Sequence, residues 1–188
     1  MNSKQVKLLE GIVVPLVTPL SSHGQIDIEG LNKLIEHVIE GGVHGIFVLG
    51  TTGEAQSLSM QQREEMIRET SRILNNRLPL LVGISDTSLA DSAALARKAH
   101  EAGAYAVVAT PPYYFATGQP ELVEYFEKLL ELLPLPLFLY NMPVHTKVTF
   151  EPETIKHIAR DPKVIGFKDS SANGTYLQTV MYTIRYKP

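Results

Sequence analysis

Apolar positions in this chain fall into two alternating kinds of stretch. Short runs are hydrophobic at nearly every residue, and longer ones only at every third or fourth. The first kind predicts strands covered on both faces, the second helices with one buried stripe. Gly11 to Val17 (GIVVPLV) is the first apolar run. A helix is predicted over Asp27 to Gly41, where Ile28, Leu31, Leu34, Ile35, Val38 and Ile39 share a face and Asp27 is placed to cap it. His44 to Leu49 (HGIFVL) reads as the second strand, followed by a helix from Ser59. There Ser59 and Gln62 make a capping-box pattern, and Met66, Ile67 and Leu74 supply part of the inner face. Leu80 to Ile84 is strand-like, and Ser88 opens an alanine-rich helix ending near Gly103. Ala104 to Thr110 is a strand, Glu121 to Leu133 a helix, and Leu135 to Tyr140 (LPLFLY) a strand. Pro152 sits in the first turn of a helix ending near Arg160, and Lys163 to Lys168 (KVIGFK) is the sixth strand. Ser170 to Pro188 leaves room for one more helix.

Six strand–helix units at intervals of roughly 25 to 35 residues predict a parallel α/β sheet with helical crossovers. Two architectures accommodate that pattern, an open doubly wound sheet and a closed (β/α)8 barrel, and periodicity does not choose between them. No linker, low-complexity stretch or shift in composition divides the sequence, so residues 1–188 read as a single domain. Composition then removes whole classes of function. The chain has no cysteine, which excludes a thiolate metal site, an iron–sulfur cluster, a disulfide framework and a cysteine nucleophile. With 17 Lys+Arg against 20 Asp+Glu, it carries no electrostatic footprint for nucleic acid or an anionic membrane. Met1 to Leu20 has an apolar run, but Glu10, Pro15 and Pro19 interrupt it and no small-residue cleavage site follows. No signal peptide or membrane span is expected, and the expected location is the cytoplasm. The histidines (His23, His37, His44, His100, His145, His157) show neither HExxH nor close pairing, so no metal site is expected.

In a parallel α/β sheet, ligands bind beyond the carboxyl ends of the strands. The second strand ends in Gly50-Thr51-Thr52-Gly53-Glu54, two glycines around two hydroxyls, suited to holding a carboxylate or phosphate or simply to turning the chain. The fourth strand ends in Thr110-Pro-Pro-Tyr-Tyr114-Phe115, and the fifth in Tyr140-Asn141-Met142-Pro143. The sixth ends in Gly166-Phe167-Lys168-Asp169-Ser170-Ser171, and a lysine closing so apolar a run is unusual. It either snorkels to solvent or is an amine whose pKa is depressed by desolvation. A neutral amine there can attack a carbonyl to form a Schiff base, with the Tyr140 phenol moving the protons.

Together GTTGE, TPPYY, YNMP and GFKDSS, with the opening Gly11 to Pro19, resemble the dihydrodipicolinate synthase/N-acetylneuraminate lyase family of class I aldolases. The likeness runs from about Gly11 to Leu177 and implies a (β/α)8 TIM barrel, truncated here after the sixth strand and its helix. It implies that Lys168 forms an imine with pyruvate, that Tyr140 transfers protons beside it, and that Thr51 and Tyr114 complete a relay. In this family the tyrosine corresponding to Tyr114 commonly reaches in from a neighbouring subunit, implying a homodimer or homotetramer. Thr52 and the loop of Gly50 and Gly53 correspond to the pyruvate carboxylate site. The expected reaction joins pyruvate to a small aldehyde such as aspartate semialdehyde, without cofactor or metal, as in lysine biosynthesis. One departure stands out. Where the synthases usually carry an arginine that grips the aldehyde's carboxylate, this chain has His145, an imidazole without the bidentate fork, and Lys147 follows. That opens an alternative, an aldolase for a 2-keto-3-deoxy sugar acid or N-acetylneuraminate. The missing last two units open a second alternative, a non-catalytic truncated barrel.

Overall fold

The computed structural model describes residues 9–185. The first eight residues, where the Met1 to Leu20 segment begins, and the last three lie outside the described residues. Among the described residues, seven α-helices and six strands follow in the order β1(Val13–Pro15), α1(Ile28–Glu40), β2(Gly45–Val48), α2(Met60–Leu74), β3(Leu80–Gly83), α3(Leu89–Glu101), β4(Ala106–Ala109), α4(Gln119–Leu132), β5(Leu137–Asn141), α5(Pro143–Thr146), α6(Pro152–Ile158), β6(Val164–Asp169) and α7(Gly174–Ile184). Strand order in the sheet is the order in sequence, β1 to β6. A doubly wound sheet reverses its order at a switch point, whereas a (β/α)8 barrel adds each strand beside the last. Sequential parallel addition therefore selects the barrel class that periodicity alone left open.

Local chemistry explains the element boundaries. The Asp27 carboxylate accepts from the Gly30 amide at 2.9 Å and caps α1. Ser59 and Gln62 exchange both bonds of a capping box, at 3.2 and 2.8 Å, and fix the start of α2. Ser88 caps α3 through the Asp91 amide. α4 begins at Gln119, earlier than its apolar stripe suggests, because Pro120 is preorganised for the first turn. β1 is only three residues long, but flanking bonds from His44 to Ile12 and from Leu16 to Phe47 extend its pairing with β2 at both ends. Two elements had no periodic signature to announce them, the 3-10 turn Ala55–Ser57 and the one-turn helix α5.

The chain divides into two compact units, Met1–Leu81 and Val82–Pro188, with the boundary inside β3. In the first, β1 and β2 pair in parallel and α1 packs on α2, burying Leu31 and Ile35 of α1, Ile46 and Val48 of β2 and Met66 and Ile67 of α2. Arg77 ties the end of α2 to Glu36 of α1. In the second unit, β4, β5 and β6 pair in parallel, and α3, α4, α6 and α7 pack in succession. Its core is built on Leu95, Leu122, Phe126, Leu137, Phe150 and Ile155, all essentially inaccessible to solvent. The Phe126 and Phe150 rings meet at a tilt, 5.4 Å between centroids.

α7 is fastened to this core by Val180 and by Tyr176, whose hydroxyl donates to the Phe150 carbonyl at 2.7 Å. Burial, followed by the nearby Asp169 charge, holds the Tyr176 phenol well above its ordinary pKa. A phenol with a raised folded-state pKa contributes stability that is fully present below the unfolded value of about 10 and is lost as pH rises through the folded value. Tyr176→Phe removes the donor to a part-buried carbonyl and costs about 1–2 kcal/mol at neutral pH. Urea titrations from neutral to strongly alkaline pH should therefore show stability falling above about pH 10 in the parent, and falling less steeply in Tyr176→Phe. Parallel slopes would contradict the assignment.

Candidate active site

β5 and β6 form one continuous ladder with a single irregularity. Leu137 pairs with Val164, but Phe138 pairs with Gly166, so Ile165 is an extra residue on β6. The later pairs are therefore Tyr140 with Lys168 and Asn141 with Asp169, whereas an unbroken register would have set Phe167 opposite Tyr140. Side chains alternate between faces along a strand, so one inserted residue exchanges which of them meet a given neighbour. Gly166 makes the local fit possible, because a Cβ there would fall within the Phe138 ring.

The consequence is direct. The Lys168 Nζ stands 3.8 Å from the centroid of the Tyr140 ring. Tyr140 is buried, and Lys168 is half-buried rather than enclosed by the apolar run that precedes it. An ammonium over a phenol face is held by the ring quadrupole, so the amine does not sweep freely through solvent. Both residues are next to last in their strands, at the carboxyl end where parallel α/β sheets bind ligands.

Behind this pair runs a polar cluster that sequence reasoning quoted but gave no role. The Asn141 side chain is fully buried. Its Nδ2 donates to Asp169 Oδ1 at 2.8 Å, and its Oδ1 accepts from the Phe150 amide at 3.2 Å. Asp169 also accepts from the Ser171 amide at 3.2 Å and from the Ser171 hydroxyl at 2.8 Å. The available signal was positional: Asn141 and Asp169 each follow by one residue the two side chains singled out for chemistry.

In the first unit, the Gly50–Glu54 segment is a tight turn following Leu49, which adopts a left-handed φ of 59°. Gly53 donates to the Gly50 carbonyl and Glu54 to the Thr51 carbonyl, both at 3.1 Å, so these two amides serve the turn itself. Thr18 Oγ1 anchors the turn through the Gly53 carbonyl at 2.7 Å. A Cβ at Gly50 would meet the Phe47 ring at 2.6 Å, so a side chain there would displace the ring, and one at Gly53 would press on the Leu16 carbonyl at 3.1 Å. Thr51 and Thr52 are exposed at its surface.

Tyr114 lies in the segment after β4 with φ 88° and 72% of its surface exposed, its ring edge-on to Phe115. His145 is exposed on α5. Lys147, just beyond it, donates to the Tyr114 carbonyl at 3.3 Å and so ties α5 to the Tyr114 segment. Among the described residues, no group of three or more His, Asp or Glu side chains is arranged to hold a metal ion. No described helix is long and apolar enough to cross a membrane.

Comparison with known proteins adds independent findings. A profile of the Dihydrodipicolinate synthetase family matches residues 8–187. The dihydrodipicolinate synthase of Bacteroides thetaiotaomicron superposes with a TM-score of 0.91 at 63% identity, over 96% of this chain and 60% of that one. The chloride-inhibited dihydrodipicolinate synthase of Acinetobacter baumannii, complexed with pyruvate, superposes with a TM-score of 0.91 at 33% identity, over 96% and 62%. The 2-keto 3-deoxygluconate aldolase of Picrophilus torridus gives 0.89 at 29% identity, over 94% and 64%. Curated relatives bear the name 4-hydroxy-tetrahydrodipicolinate synthase, and the chain spans 62% and 57% of the length of two of them. With a profile match across nearly its whole length and these structural likenesses, the chain belongs to the dihydrodipicolinate synthetase family.

Proposed function

We propose that the chain carries the pyruvate half of a Schiff-base lyase or synthase of the 4-hydroxy-tetrahydrodipicolinate synthase type. The observation that carries this reading is the Lys168 amine poised against Tyr140 at the carboxyl ends of adjacent strands. The pyruvate complex of the Acinetobacter baumannii relative supports it. In the proposed reaction, the neutral Lys168 nitrogen attacks the pyruvate carbonyl carbon. A C–N bond forms, and the carbonyl electron pair moves to oxygen, which takes up a proton. Loss of that oxygen as water leaves an imine. The protonated imine then accepts the electron pair released when the methyl group loses a proton, and the resulting enamine carbon bonds to the carbonyl carbon of an aldehyde.

Tyr140 is the proposed proton donor and acceptor for these steps, with Thr51 and Tyr114 as the onward relay. Thr52, with the Gly50–Gly53 loop, is the proposed carboxylate site. The exposure of Tyr114, Phe115 and Val144 supports a homodimer or homotetramer in which Tyr114 serves a neighbouring copy. The proposed aldehyde is aspartate semialdehyde and the proposed setting lysine biosynthesis, a reading that the relatives' name, 4-hydroxy-tetrahydrodipicolinate synthase, supports. Borohydride added with pyruvate should yield one covalent adduct per chain by intact mass, and none in Lys168→Ala. A folded parent sample that gains no mass would overturn the reading and leave a non-catalytic binding module.

A second reading keeps the same imine but changes its partner. His145, where an arginine would grip a semialdehyde's carboxylate, and the likeness to the Picrophilus torridus aldolase favour a 2-keto-3-deoxy sugar acid. An arginine fork lost from a carboxylate contact is worth about 2–3 kcal/mol, so the two substrates should differ in kcat/KM by roughly 30- to 150-fold. Steady-state rates with aspartate semialdehyde and with 2-keto-3-deoxygluconate decide it. A clear preference for the semialdehyde retains the synthase.

A further inference from the structure

We propose that Asn141 is a positioning residue, which through Asp169 holds the Lys168 amine against Tyr140. The catalytic part of this inference rests on the imine reading above, while the geometric part does not. Asn141 and Asp169 are directly paired, one residue beyond the Tyr140–Lys168 pair. The ladder continues past them, with the Ser170 amide donating to the Asn141 carbonyl at 2.9 Å. Because side chains alternate, Tyr140 and Lys168 share one face of the strand pair and Asn141 and Asp169 the other. The amine–ring contact on one face is thus accompanied by a side-chain hydrogen bond between β5 and β6 on the other. The covalent geometry of the strands carries the restraint from one face to the other.

The Asn141 carboxamide is committed on both sides. It accepts from Phe150, whose ring is part of the core, and donates to the carboxylate that follows Lys168. A fully buried amide satisfied at both ends has one allowed orientation, since rotating it would set two acceptors, or two donors, against each other. Asp169 is restrained in turn by the amide and hydroxyl of Ser171. β6 is thus pinned one residue beyond Lys168, just where the extra residue at Ile165 would otherwise let the strand slip back by one.

The test is built on the exchange of the two groups. Asn141→Asp sets two carboxylates against each other. The double variant Asn141→Asp with Asp169→Asn restores one amide and one carboxylate with the polarity reversed, keeping the Ser171 hydroxyl bond and giving up that of the Ser171 amide. The first readout is the NMR shift of the Lys168 ε-CH2 protons in lysine-labelled protein, assigned by their loss in Lys168→Ala. In the parent the Tyr140 ring, 3.8 Å from Nζ, should displace them upfield. Asn141→Asp should abolish most of that displacement and slow pyruvate trapping by borohydride about 10- to 100-fold. The double variant should regain both, the rate to within about threefold of the parent.

An unchanged shift and rate in Asn141→Asp, or a folded double variant that regains neither, would overturn the proposal. If Asn141→Asp does not fold by circular dichroism, Ser171→Ala, which removes one donor to Asp169, should move the shift in the same direction by a smaller amount. No movement there would also overturn it. A parent that shows the upfield shift but traps no pyruvate would refute the imine reading and leave the positioning role of Asn141 standing.

Discussion

One extra residue in β6 decides which side chains meet at the carboxyl end of the β5–β6 pair. With Ile165 bulged out, Lys168 faces Tyr140 and Asp169 faces Asn141. In an unbroken register Phe167 would take the place of Lys168. The bulge is tolerated because Gly166 leaves room for the Phe138 ring, and it is retained because the strand beyond it is pinned by the buried Asn141 amide. Bulges gather near active sites for this reason: they re-aim a side chain without changing the fold around it.

The two faces of this strand pair divide the work. One presents a titratable amine and a phenol, groups able to change protonation state. The other is a closed hydrogen-bond network of Asn141, Asp169, Ser171 and the Phe150 amide, with Tyr176 donating to the Phe150 carbonyl behind it. Tyr176 is kept protonated by burial and by the Asp169 charge, so it acts as a fixed donor, whereas Tyr140 is the phenol proposed for the proton transfers. Reacting groups benefit from a supporting layer whose own orientations are locked by packing and hydrogen bonds.

Much of this architecture was legible in the residues. Asp27, Ser59 with Gln62, and Ser88 announced three helix starts because capping needs short polar side chains at fixed offsets. The six apolar runs announced parallel strands because both faces of such a sheet are covered. Lys168 and Tyr140 stood out by their place at strand ends. What the sequence could not convey was register. A bulge leaves no periodic trace in so short a strand, so the pairing of Lys168 with Tyr140 and the partnership of Asn141 with Asp169 emerged only from the ladder. Helix α5 escaped notice because four residues are too few to establish a period. The Gly50–Gly53 turn was visible as a glycine-rich loop, but not that its Gly53 and Glu54 amides bond within it.

The most direct examination of the central claim is a crystal structure of the chain exposed to pyruvate and then reduced. The account predicts continuous electron density from the Lys168 Nζ to the pyruvate C2, lying beside the Tyr140 ring, with Ile165 still bulged from β6. A Lys168 side chain extended into solvent with its nitrogen unmodified, or a β6 register that pairs Phe167 with Tyr140, would contradict it.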